Sequence, residues 1–598
     1  MNSTNNHISP HLIHRTARLL FLFLLTTFIQ ASAQGLIIPS GSYVIQTAGL
    51  LATQNNWVNN GSFTAGSGTV VFNGTTQTLG GSVPTTFNNI ILEPGSSTSI
   101  ISAGQQLTGA LQSNDSLYCN GNLTLLSTAA QTALIDGSGT GEVVGNLTMQ
   151  RYLSTAFGYH YFSSPFKADT VGNFANVISL TTSFPDVYSY NENDSTNGWI
   201  NYTTGSGILT PLAGYAVNFG TSTAALTASL TGVVSNHTQS VTLYNHNLTY
   251  TLGFNLVGNP YPSPIDWNSS TGWTKTNIDN ALYFFQNGTT NQYTGTYSSY
   301  INGVSSDGVA SNLIPAMQGF FIHVSNGTYP VTGLLSVSNT ARNTSSNVAF
   351  YGVGTTGPAN GPPPLLRLTA GFTGDTSLYD PMVIYLEDGA TPSFNKELDA
   401  LKLMNTHIGV PSLYAVSQDN QQLSIQALPY PGTALQTIPL GLKTAQDGQV
   451  SFSVRDREQL PASLHIYFSD TKTGTLQDLG QTPSYQLYLP QGTYSNRFYL
   501  ELSTTALQTT PGTTPVSGPF FEAWSAGNQL YLRSNLPAGQ QAGLDIFDAT
   551  GRLIYRGSIS DNTTHLIRLP AVAAGIYIVS LSDGSTIQSK KIFIGGNP

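Results

Sequence analysis

Residues 69–92 read TVVFNGTTQTLGGSVPTTFNNIIL, and this stretch decides the fold. Two apolar runs, Thr69-Val70-Val71-Phe72 and Asn89-Ile90-Ile91-Leu92, flank a segment rich in Gly, Thr and Asn. Runs this short and this rich in β-branched residues favour strands, and the Asn73-Gly74 pair supplies a turn. The pattern spreads outward to Asn122–Leu126 and Asn146–Met149, with further Asn-Gly pairs at Asn60-Gly61 and Asn120-Gly121. It predicts stacked β-coils, as in a β-helix, over residues 34–150. Hairpins of a sandwich are the alternative, because Asn-Gly also closes two-residue hairpins.

Composition narrows the rest. The chain has 598 residues, of which only 8% are charged, against about 25% in an ordinary soluble protein. Its 20 Lys+Arg and 29 Asp+Glu give a net charge of −9. Residues 34–341 contain three basic side chains, Arg151, Lys167 and Lys275, so there is no basic face for nucleic acid. Cys119 stands alone, which excludes a disulfide framework and reads as a small buried apolar residue. Hydrophobic residues make up 40% and aromatics 10%, enough to build packed cores.

Residues 1–33 read as a secretory signal peptide. Arg15 and Arg18 precede the apolar stretch Leu19–Ile29, and Ala31-Ser32-Ala33 supplies a small-residue cleavage site before Gln34. Eleven apolar residues are too few to span a bilayer as a helix, which takes about 20. Removing Arg15 and Arg18 changes the formal charge from −9 to −11. No later segment reads as a membrane span, so no transmembrane anchoring is expected after signal removal.

Residues 151–345 carry an internal repeat. The first copy runs through Tyr159–Phe166, Val187–Asn191, Trp199–Tyr202 and Leu212–Val217. The second runs through Phe254–Pro262, Leu282–Gln286, Tyr297–Tyr300 and Met317–Ile322. Each has an apolar strand into a Pro turn, two aromatic strands, then Gly and another apolar strand, which predicts a duplicated β module. Residues 346–364, Gly-rich and ending in Pro362-Pro363-Pro364, read as a linker. Residues 365–505 read as a β-sandwich, with a short helix expected near Asp399–Leu403, and 506–518 as a Thr/Pro linker.

Residues 519–598 alternate with period two and predict a small immunoglobulin-like sandwich. They carry Asp548-Ala549-Thr550-Gly551-Arg552 after a strand, Ala574-Gly575-Ile576-Tyr577, and Lys590-Lys591 before Ile592-Phe593-Ile594. This module resembles the type A sorting domain of the type IX secretion system, with Gly551, Arg552, Gly575, Tyr577, Lys590 and Lys591 as the motif residues. The resemblance implies Sec export through the periplasm, passage to the outer-membrane surface or the extracellular space, and handling by the type IX machinery and a surface sortase. Cleavage would fall in the linker 506–518. The phrases Asn255–Pro262 and Met317–Phe321 resemble segments of adhesin-like surface proteins of the same system.

The fold class expected is therefore all-β and multidomain. The expected function is a non-enzymatic adhesin or surface-structural role, with no cofactor and no metal, and a glycan or host-matrix ligand as candidate partner. A polysaccharide-acting enzyme is the alternative, with Asp186, Asp194 and Asp266 as acids to test. No Ser-His-acid arrangement and no zinc-spaced histidines occur. Asn193–Gly198 looks partly like a calcium loop, yet reads better as an Asx-rich turn. Trp199, Trp267 and Trp273 are the candidate ligand-binding aromatics, because ring faces stack on sugars in an uncharged, amide-rich setting. The competing reading places them in the core, with Asp266 capping a turn.

Overall fold

The computed structural model describes residues 35–595 except 181–185, 349, 351–362, 510–520, 527–528, 535, 537–540, 561–562, 571 and 583–586. The signal segment and most of the Thr/Pro linker lie outside the described residues. Regular structure among the described residues is strand, with two short 3-10 turns at Val171–Phe174 and Asn339–Ala341.

The N-terminal region is a β-solenoid of about five turns. One parallel sheet stacks Leu36–Ile38, Trp57–Asn59, Thr76–Gly80, Ser97–Ile100, Leu117–Tyr118 and Val143–Val144. A second stacks Leu50–Thr53, Thr69–Phe72, Asn89–Leu92, Ala110–Ser113 and Leu134–Ile135. Leu50 pairs with Thr69 and Thr69 with Asn89, so the chain returns after 19 and then 20 residues. Alternate residues point inward. Phe72, Leu92, Ile100, Leu107 and Leu125 are fully buried in one continuous core. Trp57 packs edge-on to Phe63 at 4.8 Å and donates its indole N–H to Thr85 Oγ1 at 3.1 Å. A corner is fixed by a buried amide: Gln77 Nε2 donates to the carbonyls of Thr53 and Asn55, while its Oε1 accepts from Gly74 N. The Asn-Gly signal thus turns a coil here and does not close hairpins.

Strand Asn146–Leu153 ends the stack. It lies parallel to Leu123–Leu125 but pairs along its whole length, antiparallel, with Leu226–Val233. Its alternation buries Leu147, Met149, Arg151 and Leu153 on one face.

Two sheets with the same order of connections follow. The first runs Tyr159–Phe162, Tyr215–Asn218, Val187–Tyr190, Trp199–Tyr202. The second runs Phe254–Gly258, Gly319–His323, Leu282–Asn287, Gly295–Ile301, then Val304–Ser305. The sheets touch reciprocally: Ser163 N donates to Met317 O, and Gly258 N donates to Leu212 O. Leu212 and Met317 both adopt positive φ, +66° and +63°, while fully buried. Left-handed backbone is unfavourable for such side chains, so the packing of the two sheets enforces it.

Residues 365–503 form one 11-stranded sheet. It rolls until its terminal strands meet, where Gln477 Nε2 donates to Ser484 O at 2.8 Å. Phe452, Phe468 and Phe498 stack inside it. The stretch expected as a short helix instead pairs as strand Ala400–Leu401, because Ala400 and Leu401 are buried against Gln422–Leu428. This core is continuous with Tyr161, Phe254, Tyr283 and Phe321 of the two preceding sheets. The described residues between 521 and 595 form a separate small sandwich of three and four strands around Leu530, Ile546, Val579 and Ile594.

Candidate functional site: a sorting tail and an arginine-lined cavity

In the tail, the motif residues build one turn and one edge. Asp548 ends a strand, and its Oδ1 accepts from the backbone N–H groups of Thr550 and Arg552 and from the Thr550 hydroxyl. Those donors hold its carboxyl low, at about 2. Arg552 Nε closes the loop onto Asp548 Oδ2 at 3.0 Å. Gly551 sits at φ +84°, which explains glycine there. Tyr577 is buried, and its hydroxyl finds the Ala573 carbonyl at 2.8 Å. Gly575 pairs with Ile594, while Lys590 and Lys591 are exposed on the last strand opposite Val579 and Ile578.

The candidate aromatics separate. Trp267 belongs to the core rather than to a binding face. It is 1% exposed, its N–H donates to Asn280 O, and Lys275 Nζ sits 3.8 Å above its ring. Burial pulls the Lys275 ammonium down to about 8. Trp273 is half-buried, edge-on to Trp267 at 4.7 Å, with its N–H on Asp266 O. Trp199 lies in a different sheet, half-buried against Tyr190 at 5.0 Å and Tyr161 at 5.8 Å.

The acids also have structural roles. Asp194 accepts from the backbone N–H groups of Thr196, Asn197 and Gly198, which holds its pKa below the usual carboxylate range. Asp266 accepts from Asn268 N and Asn312 Nδ2, capping its turn. Asp186, partly buried ahead of Val187, is shifted upward by desolvation. His237 and His246, close in sequence, go to separate carboxylates, Glu142 and Glu192, each at 2.6 Å. Cys119 is buried, and its thiol is pushed up to about 12, so it is inert at neutral pH.

A cavity of about 170 Å³ opens where strand Asn146–Leu153 meets Thr128–Thr132, Ser346–Val348 and Phe350. Arg151 and His160 both line it, and both sit against the Phe350 ring, at 5.1 Å and 6.3 Å from its centre. Arg151 is 2% exposed. Its Nη1 and Nη2 reach Thr132 Oγ1 and Val348 O, each at 3.2 Å, and its Nε has no partner among the described residues. Burial pulls its pKa down to about 9, which leaves it cationic at neutral pH. His160 is driven down to about 4 by burial, partly opposed by a hydrogen bond to the Phe157 backbone, so it is neutral; its Nε2 has no partner among the described residues. Sequence reasoning counted Arg151 only as one of three basic residues. The signal was there, because period two places residue 151 on the same face as Leu147, Met149 and Leu153.

The terminal sandwich with its Asp-x-x-Gly-Arg turn defines a secreted cargo with a type IX sorting tail; among the described residues no helix is long and apolar enough to cross a membrane. Residues 526–595 match the secretion system C-terminal sorting domain. That tail implies export to the cell surface or extracellular space. The chain belongs to the family described as a domain of unknown function (DUF8693), which matches residues 50–502. No curated protein matches it. Among solved structures it is similar to a chain titled "Biofilm associated protein - BSP domain", at 10% identity, covering 75% of this chain and 93% of that one, with a TM-score of 0.12. A likeness at that score carries no argument about fold.

Proposed function

We propose that the protein is a non-enzymatic, surface-displayed binding or scaffold protein of adhesin-like type. The observation that carries this reading is the order of its parts: a solenoid, two sheets and a rolled sheet joined by continuous cores, ahead of a sorting tail. Shared cores make a stiff presenting body, which suits adhesion. The matched strand order of the two central sheets supports reading them as a duplicated module. Trp199 and Trp273, half-buried at different places on it, are the aromatics proposed to meet a glycan or matrix ligand. In this reading the N-terminal signal is removed before Gln34, and a surface sortase acts within 506–518.

The test uses the full chain in a bacterium that has the type IX machinery. Deleting 519–598 should leave the protein periplasmic and abolish cell-surface labelling. Cells displaying the intact chain should bind a glycan or matrix array and release no sugar from it. Surface labelling of the truncated chain would overturn the sorting role, and sugar release would overturn the non-enzymatic one.

A further inference from the structure

We propose that the cavity beneath Phe350 binds the carboxylate of a small acidic saccharide residue, with Arg151 as its counter-charge and His160 as acceptor for a neighbouring hydroxyl. This deepens the binding reading above and rests on it.

The first observation is an uncompensated charge. A guanidinium carries five donors in a planar fork and keeps its proton at neutral pH, so burying it is costly unless an anion accompanies it. Among the described residues, three Lys or Arg side chains are buried: Arg151, Arg367 and Lys402. Arg367 is paired with Asp456, and Lys402 with Asp380. Arg151 has no carboxylate partner among the described residues, and burial alone shifts it. Arg342, also desolvated, shows how this fold completes a structural arginine. Its Nε donates to Ser263 Oγ and its Nη2 to Ile135 O, and Asp136 lends it negative charge. Arg151 is left with a free Nε beside a cavity.

The second observation is independent of the arginine. His160 and Asn255 occupy matching places in the two central sheets, one residue into the strands Tyr159–Phe162 and Phe254–Gly258. Asn255 Nδ2 is satisfied by the carbonyls of Tyr244 and Gly253, both at 2.9 Å. His160 Nε2 is buried and unsatisfied. The ring's hydrogen bond to the Phe157 backbone leaves a neutral imidazole whose second nitrogen is a lone-pair acceptor.

The chemistry of the walls selects the ligand. Thr132, Ser154, Thr155, Asn287 and Asn347 bring hydroxyls and amides, and the Phe350 ring gives one apolar surface. These are groups that hold a polyhydroxylated ring. One cation matches one negative charge. A phosphate or sulfate dianion would meet no second cation, in a chain whose net charge is already −9. The rim residues Thr128, Ala129 and Ala130 are exposed, so an acid group can enter while the rest of a glycan stays outside.

The experiment uses the mature chain with its tail, titrated with glucuronate, glucose, acetate and sulfate, read by thermal shift and calorimetry. Glucuronate should raise the Tm saturably, and glucose should not. A response to glucuronate alone supports a saccharide source, and an equal response to acetate supports a free carboxylic acid. Arg151→Met should abolish the response, read against the variant's own melting point because its bonds to Thr132 and Val348 are lost as well. Arg151→Lys keeps the charge without the planar fork and should bind at least about tenfold more weakly; it serves if the methionine variant does not fold. No response to either acid, a stronger response to sulfate, or an Arg151→Met variant that still responds would overturn the site. Attachment of cells displaying the same variants separates the two readings: lost acid response with retained attachment removes this site and leaves the adhesin reading standing.

Discussion

Replacing Arg367 by Met should uncouple the rolled sheet from the sheets before it. Arg367 lies on strand Leu365–Phe372 and is 4% exposed. Its Nε donates to Ser306 O at 2.7 Å and its Nη2 to Ser305 O at 2.9 Å, both on the second central sheet and its flank. Hydrogen bonds from a charged donor contribute about 1.5–3 kcal/mol each, so their loss comes to about 3–6 kcal/mol. The ion pair with Asp456 adds little, because that carboxylate is 36% exposed. Methionine keeps most of the stem's packing, which isolates the polar loss. The assay follows from where the five tryptophans lie: Trp57, Trp199, Trp267 and Trp273 precede the rolled sheet, which has none, and Trp524 of the tail is replaced by Phe in every chain compared. In urea, tryptophan fluorescence and far-UV circular dichroism should coincide for the parent chain and separate for the variant. A destabilisation under about 0.5 kcal/mol with coincident curves would refute the claim that this arginine ties the two parts together.

The solenoid core should be sensitive to Trp57→Ala, which empties a site lined by Phe63, Phe72 and Phe87 and should cost about 3–5 kcal/mol in a urea titration. Lys402→Met leaves Asp380 buried without its counter-charge, held only by hydrogen bonds such as that from Leu413 N, and should cost about 3–5 kcal/mol at pH 7. Desolvation already raises the Asp380 pKa and Lys402 opposes that shift, so the variant's native state binds a proton that the unfolded chain, with Asp near 3.9, does not. Its stability should therefore rise as the pH falls from 7 toward 4, by up to about 1.4 kcal/mol per pH unit, and a flat profile would count against a lone buried carboxylate. Gly551→Val should cost about 1–2 kcal/mol through backbone strain alone, since φ is +84° and nothing lies within 4 Å of an added Cβ; an unchanged melting point of the tail would contradict this.

How far the sequence could be read depended on whether a signal was local. The solenoid was legible because each coil repeats its own inward residues, and Phe72 and Leu92 fall where the alternation puts them. The tail was legible because Asp548, Gly551 and Arg552 form their turn within five residues. Trp267 was not decidable from sequence: whether its ring faces a sugar or the core depends on Lys275 and Asn280, whose approach is a matter of tertiary packing. The helix expected near Asp399 failed for the same reason, because pairing with Gln422–Leu428 overrides a weak local preference. The cavity needed segments far apart in sequence, Thr128–Thr132, Arg151–Thr155 and Ser346–Val348 with Phe350, and no local pattern records their meeting.

The scarcity of charge gives the remaining charges their meaning. In a chain with 8% charged residues, a buried ion pair does more to fix one arrangement than to add stability, because desolvation offsets much of its attraction. Asp380 with Lys402 ties strand Tyr379–Leu386 to the coil just after Ala400–Leu401, while Arg497 with Asp470 ties its neighbouring strands and holds Tyr485 in place. His323 with Asp279 fixes the end of the second central sheet, and Ser325 completes that carboxylate. Each of these groups has an opposite charge or a filled set of hydrogen bonds, and each sits between elements that must be held in register. Arg151 sits at such a junction, between the last coil of the solenoid and the segment around Phe350, yet its pairing is incomplete. A fold that gives Arg367, Lys402 and Arg497 carboxylates from its own chain gives Arg151 none among the described residues, which leaves it open to an acid from outside.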